Sequence, residues 1–216
     1  MPIRLFPDPR KANSEGIVAF GGDLSPDTLI QAYRQGIFPW PIPGLPLPWF
    51  CPAERAILDI HQLHLSRSLV RFQKKNLYRF TVDQAFPQVI ELCAKVPRAG
   101  QSGTWITSAM RQAYLQLHEL KVAHSVEAWQ GDRLVGGLYG VDSGGAFSAE
   151  SMFHLADHAS KLAIVFLLHH LQAQGLTWID IQVMTPHLQA LGAQLLDRDE
   201  FLTRLSKQQA CRLKIF

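Results

Sequence analysis

Apolar and polar positions are most regularly patterned between Leu134 and Met184. Leu-Val-Gly-Gly-Leu-Tyr-Gly-Val (134–141) and Ala-Phe-Ser-Ala-Glu-Ser-Met-Phe (146–153) read as two short strands joined by a turn at Gly144 and Gly145. From about Asp157 the spacing becomes helical, with Ala159, Leu162, Ala163, Phe166, Leu167, His170 and Leu171 on one stripe and Gly175 as the stop. Trp-Ile-Asp-Ile-Gln-Val-Met (178–184) returns as a strand. Side chains alternate along a strand, which puts Ile179, Ile181 and Val183 on one face and Trp178, Asp180, Gln182 and Met184 on the other. By the same rule Glu150 falls with Ser148 and Met152. A buried carboxylate without partners is costly, so Glu150 and Asp180 need solvent or a shared hydrogen-bonded network. A solvated sheet face is one reading; the apolar neighbours Trp178, Met152 and Met184 favour a polar cluster at the floor of an apolar pocket.

The pattern before this module is less regular. Residues 1–16, with Pro2, Pro7 and Pro9, read as irregular surface chain. Ser25-Pro26 has the form of a helix N-cap followed by proline at the first helical position, and the helix carries Leu29, Ile30, Ala32 and Tyr33 to a stop at Gly36. Six of the 13 prolines lie between 39 and 52, among Trp40, Trp49 and Phe50. That density predicts a stiff extended loop presenting aromatics, either a linker or a binding surface. The composition changes near residue 58, which divides the chain into a small N-terminal domain (1–57) and a larger one (58–216).

Between His61 and Arg79 there is no acidic residue, and Arg67, Arg71, Lys74 and Lys75 share one side at helical spacing. So unbalanced a run suits phosphate, with a plain solvated face as the alternative. Ala85, Phe86, Val89, Ile90 and Cys93 mark a core helix within 80–93, residues 96–103 a loop, and 108–120 another helix. Ala123–Gln130 alternates as a strand that turns at Gly131-Asp132 into the module described first. After Pro186 come Leu191-Gly-Ala193, a short strand and a basic end with Arg204, Lys207, Arg212 and Lys214.

Composition changes this picture little. The chain has 216 residues, 47% hydrophobic and 18% charged, with a formal net charge of +3, as in an ordinary soluble globular protein. Three dispersed cysteines and an N-terminus without an apolar core segment point to the cytoplasm. The longest apolar run, 162–168, is far short of the ~20 residues of a membrane span. No G-x-x-x-x-G-K-S/T, G-x-G-x-x-G or G-x-S-x-G motif is present. His154 and His158, four apart without an internal glutamate, read as ordinary histidines, and no metal or cofactor is expected. An enzyme so equipped needs a substrate that arrives activated.

Several segments together resemble the leucyl/phenylalanyl-tRNA–protein transferase family: Phe20-Gly-Gly-Asp-Leu-Ser-Pro26, Tyr33-Arg-Gln-Gly-Ile-Phe-Pro-Trp40, Leu65-Ser-Arg-Ser68, Gly103-Thr-Trp-Ile-Thr107, Val135-Gly-Gly-Leu-Tyr-Gly140, Glu150-Ser-Met-Phe153, Ala159-Ser-Lys161, Ile179-Asp-Ile-Gln182 and Leu191-Gly-Ala193. They follow family order over nearly the whole chain. The resemblance implies an α+β fold, a small N-terminal domain plus a larger Gcn5-related acetyltransferase-like domain with a mixed central sheet. It implies transfer of Leu, Phe or Met from aminoacyl-tRNA to a protein with N-terminal Arg or Lys, which marks that protein for N-degron proteolysis. It further implies that Asp180 polarises Gln182, which accepts a hydrogen bond from the attacking amine, while Glu150 bonds within the site. Trp40 and Trp105 would hold the terminal adenosine. Leu138, Met152, Ile164, Leu167, Leu171 and Ile179 would line the pocket for the aminoacyl side chain, and Arg67, Arg71, Lys74 and Lys75 would contact the tRNA backbone. A monomer without membrane partners is expected.

Some positions depart from the family pattern. Ala149 stands where relatives often have Gly, Ala190 where Ser is frequent, and Leu138 and Leu167 where Met and Phe occur, which bears on amino-acid preference and not on the reaction. The alternatives are an acetyl-CoA-dependent N-acetyltransferase, for which the pyrophosphate loop is missing, and a non-catalytic tRNA-binding protein, which leaves Glu150, Asp180 and Gln182 without a purpose.

Overall fold

Two sheets carry the chain, and the site sits where helices from the first half meet the strands of the second. The structure is a computed structural model and describes residues 6–96 and 104–216. In chain order, β1 (Ile17–Phe20), α1 (Pro26–Arg34), β2 (Phe38–Pro39), β3 (Pro48–Phe50) and β4 (Glu54–Asp59) are followed by α2 (Arg67–Gln73), β5 (Arg79–Val82), α3 (Phe86–Lys95) and α4 (Ser108–Glu119). The strands β6 (Ala123–Gln130), β7 (Arg133–Asp142) and β8 (Phe147–His154) then lead through α5 (Ala159–Ala173) to β9 (Trp178–Gln182). The chain ends with α6 (Pro186–Gln189), β10 (Gln194–Asp197) and α7 (Arg198–Ala210).

β1, β3 and β2 form a small antiparallel sheet, and the larger sheet runs β10-β4-β9-β8-β7-β6-β5. All its neighbours are antiparallel except β8 and β9, which α5 connects and whose one registered pair is Ser148 opposite Asp180. A helical crossover is what a parallel pair requires. α5 seals one face with Leu162, Ala163, Ile164, Leu167 and Leu171. The other face carries α3 and α4, and there Tyr33, Trp49, Phe86, Tyr114 and Phe201 share one apolar cluster. Gly136 allows α5 its approach: a Cβ there would lie 2.6 Å from Cβ of Ala159.

The structure revises several expectations. The proline-rich segment contains β2 and β3 rather than loop alone, and Trp49 is fully buried instead of presented. Proline is tolerated here because Pro39 lies on the edge strand β2 and Pro48 is the first residue of β3. β4 is an inner strand of the large sheet, and the expected division between 57 and 58 falls within it. Residues 79–82 form an edge strand, so the helix of the 80–93 segment begins only at Phe86. The basic end is largely α7, which buries Phe201, Leu202 and Leu205. The loop read over 96–103 lies, but for Val96, outside the described residues.

Candidate active site

Strict alternation along 146–153 fails at one residue, and that residue is Glu150. Tyr139 faces Ser151 and Gly140 faces Ala149, so Glu150 has no partner on β7 and stands as a β-bulge. The extra residue reverses the alternation: Met152 packs with the α5-side cluster and Phe153 with the opposite one. The expectation that Met152 lies beside Glu150 and Ser148 is therefore corrected. A second irregularity lies across the seam. Ala56 faces Gln182 and Ile57 faces Asp180, which leaves Ile181 unpaired. Gln182 closes β9 with φ of +56°, a left-handed conformation that is strained for a non-glycine residue. Bulges concentrate where a side chain must be re-aimed, and these two flank the parallel seam on both sides.

The re-aimed groups meet. Gln182 Nε2 donates to Glu150 Oε1 across the opening between β8 and β9. Tyr114 Oη, from α4, donates to Glu150 Oε2 at 3.1 Å, and Tyr33 of α1 hydrogen-bonds Tyr114 through its own hydroxyl. Burial, opposed by these hydrogen bonds and reinforced by the nearby Asp180 charge, pushes the Glu150 carboxyl up to about 7. The same burial and the Glu150 charge raise Tyr33 and Tyr114 well above the ordinary phenol range, so both stay protonated donors.

Asp180 is held differently from the expectation. Its Oδ1 accepts from Arg55 Nε at 2.7 Å and from the Gln182 backbone N–H at 2.9 Å. Its Oδ2 accepts from Arg55 Nη2 at 2.7 Å and from Ser148 Oγ at 2.9 Å. Asp180 thus fixes the backbone of Gln182, not its side-chain amide, which is turned to Glu150. The Gln182 amide nitrogen being engaged, its oxygen is the face that can accept a hydrogen bond from a substrate amine. Asp180 and Gln182 are 2% and 6% exposed, so neither is turned into bulk water.

Sequence reasoning missed Arg55, Tyr33 and Tyr114 as site residues. Tyr33 lies inside one of the matching segments but reads as an apolar helix position, and Tyr114 likewise. Arg55 follows Glu54 and looks like half of a surface charge pair.

The other expected residues fall into three places. Trp40 and Trp105, both partly buried, stack on each other with ring centroids 5.4 Å apart and planes at 27°. Thr107 caps α4 through the Met110 N–H, and Thr104 accepts from the Ile106 N–H, which fixes the chain on both sides of Trp105. Leu138, Ile164, Leu167, Leu171 and Ile179 join one core cluster and are fully buried, with the half-exposed Met152 against them. Arg67, Arg71, Lys74 and Lys75 are all exposed. α2, capped by Ser66, ends at Gln73, and Lys74 continues its conformation as the cap. That surface is anchored to the entry of α5: Phe72 packs edge-on against His158 at 4.9 Å, and Tyr78 Oη donates to Asp157 O at 2.8 Å. Among the described residues no cluster of three metal-ligating side chains occurs, and no helix is long and apolar enough to cross a membrane.

Two family models match this chain in succession: the leucyl/phenylalanyl-tRNA protein transferase N-terminal domain over residues 22–53 and the leucyl/phenylalanyl-tRNA protein transferase over 57–206. The chain belongs to the leucyl/phenylalanyl-tRNA protein transferase family. A curated relative of that name from Anaeromyxobacter sp. (strain K) is 50% identical over 202 residues, 94% of this chain and 87% of its own. Those from Lawsonia intracellularis and Myxococcus xanthus are 47% and 48% identical, cover 93% and 94% of this chain, and are covered over 88% and 87% of their length. Family members are aminoacyltransferases by name.

Proposed function

We propose that this protein transfers Leu, Phe or Met from aminoacyl-tRNA to the N-terminal Arg or Lys of acceptor proteins, forming a peptide bond and tagging the acceptor for N-degron proteolysis. The observation that carries this reading is the Glu150–Gln182 bridge, a polar pair set on two bulged strands beside an apolar cluster, in a chain of this family. The aminoacyl ester supplies the driving force. The amine nitrogen attacks the ester carbonyl, the bond from that carbonyl to the terminal ribose oxygen breaks, and the amine proton ends on the released ribose oxygen.

An α-amino group has a pKa of about 7.7–8.0, so deprotonating it near neutrality costs only on the order of 1 kcal/mol, and positioning is what remains to be supplied. Gln182 Oε1 accepts a hydrogen bond from the amine and aims it. A neutral amide is too weak a base to keep the proton. Glu150, bonded to that same amide and poised near neutral pH, adds negative charge toward the cationic acceptor. Trp40 and Trp105 offer a stacking face for the terminal adenine, worth about 1–3 kcal/mol. In this reading the aminoacyl side chain passes through the opening between β8 and β9 and past Met152 to Leu138, Ile164, Leu167, Leu171 and Ile179 on the α5 side of the sheet. Arg67, Arg71, Lys74 and Lys75 hold the tRNA backbone without reading its sequence.

In this reading residues 1–57 form the small N-terminal unit and 58–216 a Gcn5-related acetyltransferase-like unit, with β4 running across the division and joining the first unit to the large sheet; the β8–α5–β9 crossover in an otherwise antiparallel sheet supports the second assignment. The protein acts as a cytoplasmic monomer. The test is incubation with Leu-tRNA and a peptide beginning with Arg or Lys. Product heavier by one leucyl residue is expected, and an unchanged peptide mass at every pH and salt tried would refute the reading.

A further inference from the structure

We infer that Arg55 is a positioning residue for the transfer reaction, fixing Asp180 and through it the Gln182–Glu150 bridge. The inference rests on the function proposed above.

Arg55 is 1% exposed and reaches Asp180 with two nitrogens, Nε and Nη2, each at 2.7 Å. A carboxylate offers about four acceptor positions on its two oxygens. Arg55 takes two, and the Gln182 N–H and Ser148 Oγ take the others. Asp180 therefore has no lone pair left for a substrate amine, and it acts on the reaction only through what it holds. What it holds is the backbone N–H of Gln182, at the residue with φ of +56°. That anchor, together with the Val183 N–H to Ile181 O bond at 2.7 Å, holds the end of β9 in the left-handed turn that sends the amide back to Glu150.

The guanidinium is itself fixed. Its central carbon lies 4.6 Å from the ring centroid of Phe38 on one strand and 4.6 Å from that of Phe201 on α7. Its remaining nitrogen, Nη1, is buried and has no hydrogen-bond partner. Ring faces attract a desolvated cation, and a planar fork between two rings cannot rotate away from Asp180. Phe38 sits two residues before Trp40 and meets its ring edge-on at 6.3 Å. One side chain thereby ties the segment carrying the tryptophan stack to the strand carrying Gln182.

Charge gives this role a signature that simple packing lacks. The groups around Glu150 are Tyr33 from α1, Tyr114 from α4, Asp180 and Gln182 from β9, and Arg55 from β4, and the Asp180 and Arg55 charges act on Glu150 with opposite sign. Removing either partner of the pair unmasks the other.

The test reads the Glu150 side-chain carboxyl by carbon NMR titration in the full-length protein without substrate, together with single-turnover leucine transfer. Asp180→Asn leaves the Arg55 cation unbalanced and lowers the Glu150 midpoint. Arg55→Met leaves the Asp180 anion unbalanced and raises it. The double variant returns it to within about half a pH unit of the wild type. Arg55→Met also lowers the single-turnover transfer rate at least tenfold at saturating aminoacyl-tRNA, where any loosening of the Trp40 segment that weakens tRNA binding is not read. Should Arg55→Met not fold, Arg55→Lys takes its place: it keeps the charge and loses the fork, so the midpoint holds while the rate falls about tenfold. A Glu150 midpoint unmoved by Asp180→Asn, or a wild-type transfer rate in the Arg55 variant, overturns the inference. If the wild type transfers no leucine, the proposed function fails while the titration still reports on Arg55.

Discussion

Replacing Glu150 with Gln removes one ionisation from the site and keeps its shape. In the native protein the carboxyl titrates near 7, against an ordinary value of 4.5. The gap of roughly 2.5 pH units corresponds to about 3 kcal/mol at 1.36 kcal/mol per unit. The sign follows from proton counting. Between about pH 4.5 and 7 the native state holds this proton and the unfolded chain has lost it, so wild-type stability falls as pH rises through that window. Below it both states are protonated, and above it both are ionised with the full penalty in force. Glu150→Gln has no such penalty. Urea unfolding at pH 4, 5.5 and 8 should show the variant gaining on the wild type progressively, by up to about 3 kcal/mol at pH 8. The same variant should transfer leucine more slowly, since its site no longer carries a negative charge toward the acceptor. Parallel stability curves for the two proteins across the whole range would refute the reasoning, because Glu150 would then titrate as an ordinary surface carboxyl.

Removing Lys74 and Lys75 together by alanine should weaken tRNA binding for every sequence alike and flatten the plot of log affinity against log salt by about 0.7–0.9 for each phosphate no longer neutralised; an unchanged slope would remove these two lysines from the interface. Trp40→Ala should raise KM for aminoacyl-tRNA about 5- to 150-fold, as expected for about 1–3 kcal/mol of stacking removed. Trp105→Ala should do the same, and because the two rings touch, the double variant should cost less than the product of the two; strict multiplicativity would mean that they act apart. Gly136→Ala should lower stability by about 1–3 kcal/mol in denaturant unfolding, since its Cβ would lie 2.6 Å from that of Ala159 on α5.

The strand–strand–helix–strand module from 134 to 182 was legible because alternation and helical periodicity are local signals. Glu150, Asp180 and Gln182 stood out there as polar residues in apolar surroundings. The bulges at Glu150 and Ile181 were not legible, because a bulge depends on the partner strand and leaves no mark in the bulged segment. That hid the parting of Met152 from Glu150 and the aim of Gln182 toward Glu150. β2 and β3 were masked by prolines, which an edge strand or the first residue of a strand accepts. The role of Arg55 was invisible for a different reason: it pairs over a separation of 125 residues, and only its partner's burial distinguishes it from a solvated arginine. The six residues assigned to the aminoacyl pocket do gather in one cluster, yet most of the buried apolar residues of α5 belong to it, so their gathering says less than the polar bridge does.

In the proposed function an already activated ester is aminolysed by positioned dipoles, with Gln182 aiming the amine. It is tested most directly by comparing wild type and Gln182→Ala for single-turnover leucine transfer from Leu-tRNA to a peptide with N-terminal Arg, with tRNA affinity measured in parallel. Gln182→Ala should bind tRNA within twofold of the wild type and transfer leucine at least tenfold more slowly. Transfer at the wild-type rate by a variant that binds tRNA normally would contradict it.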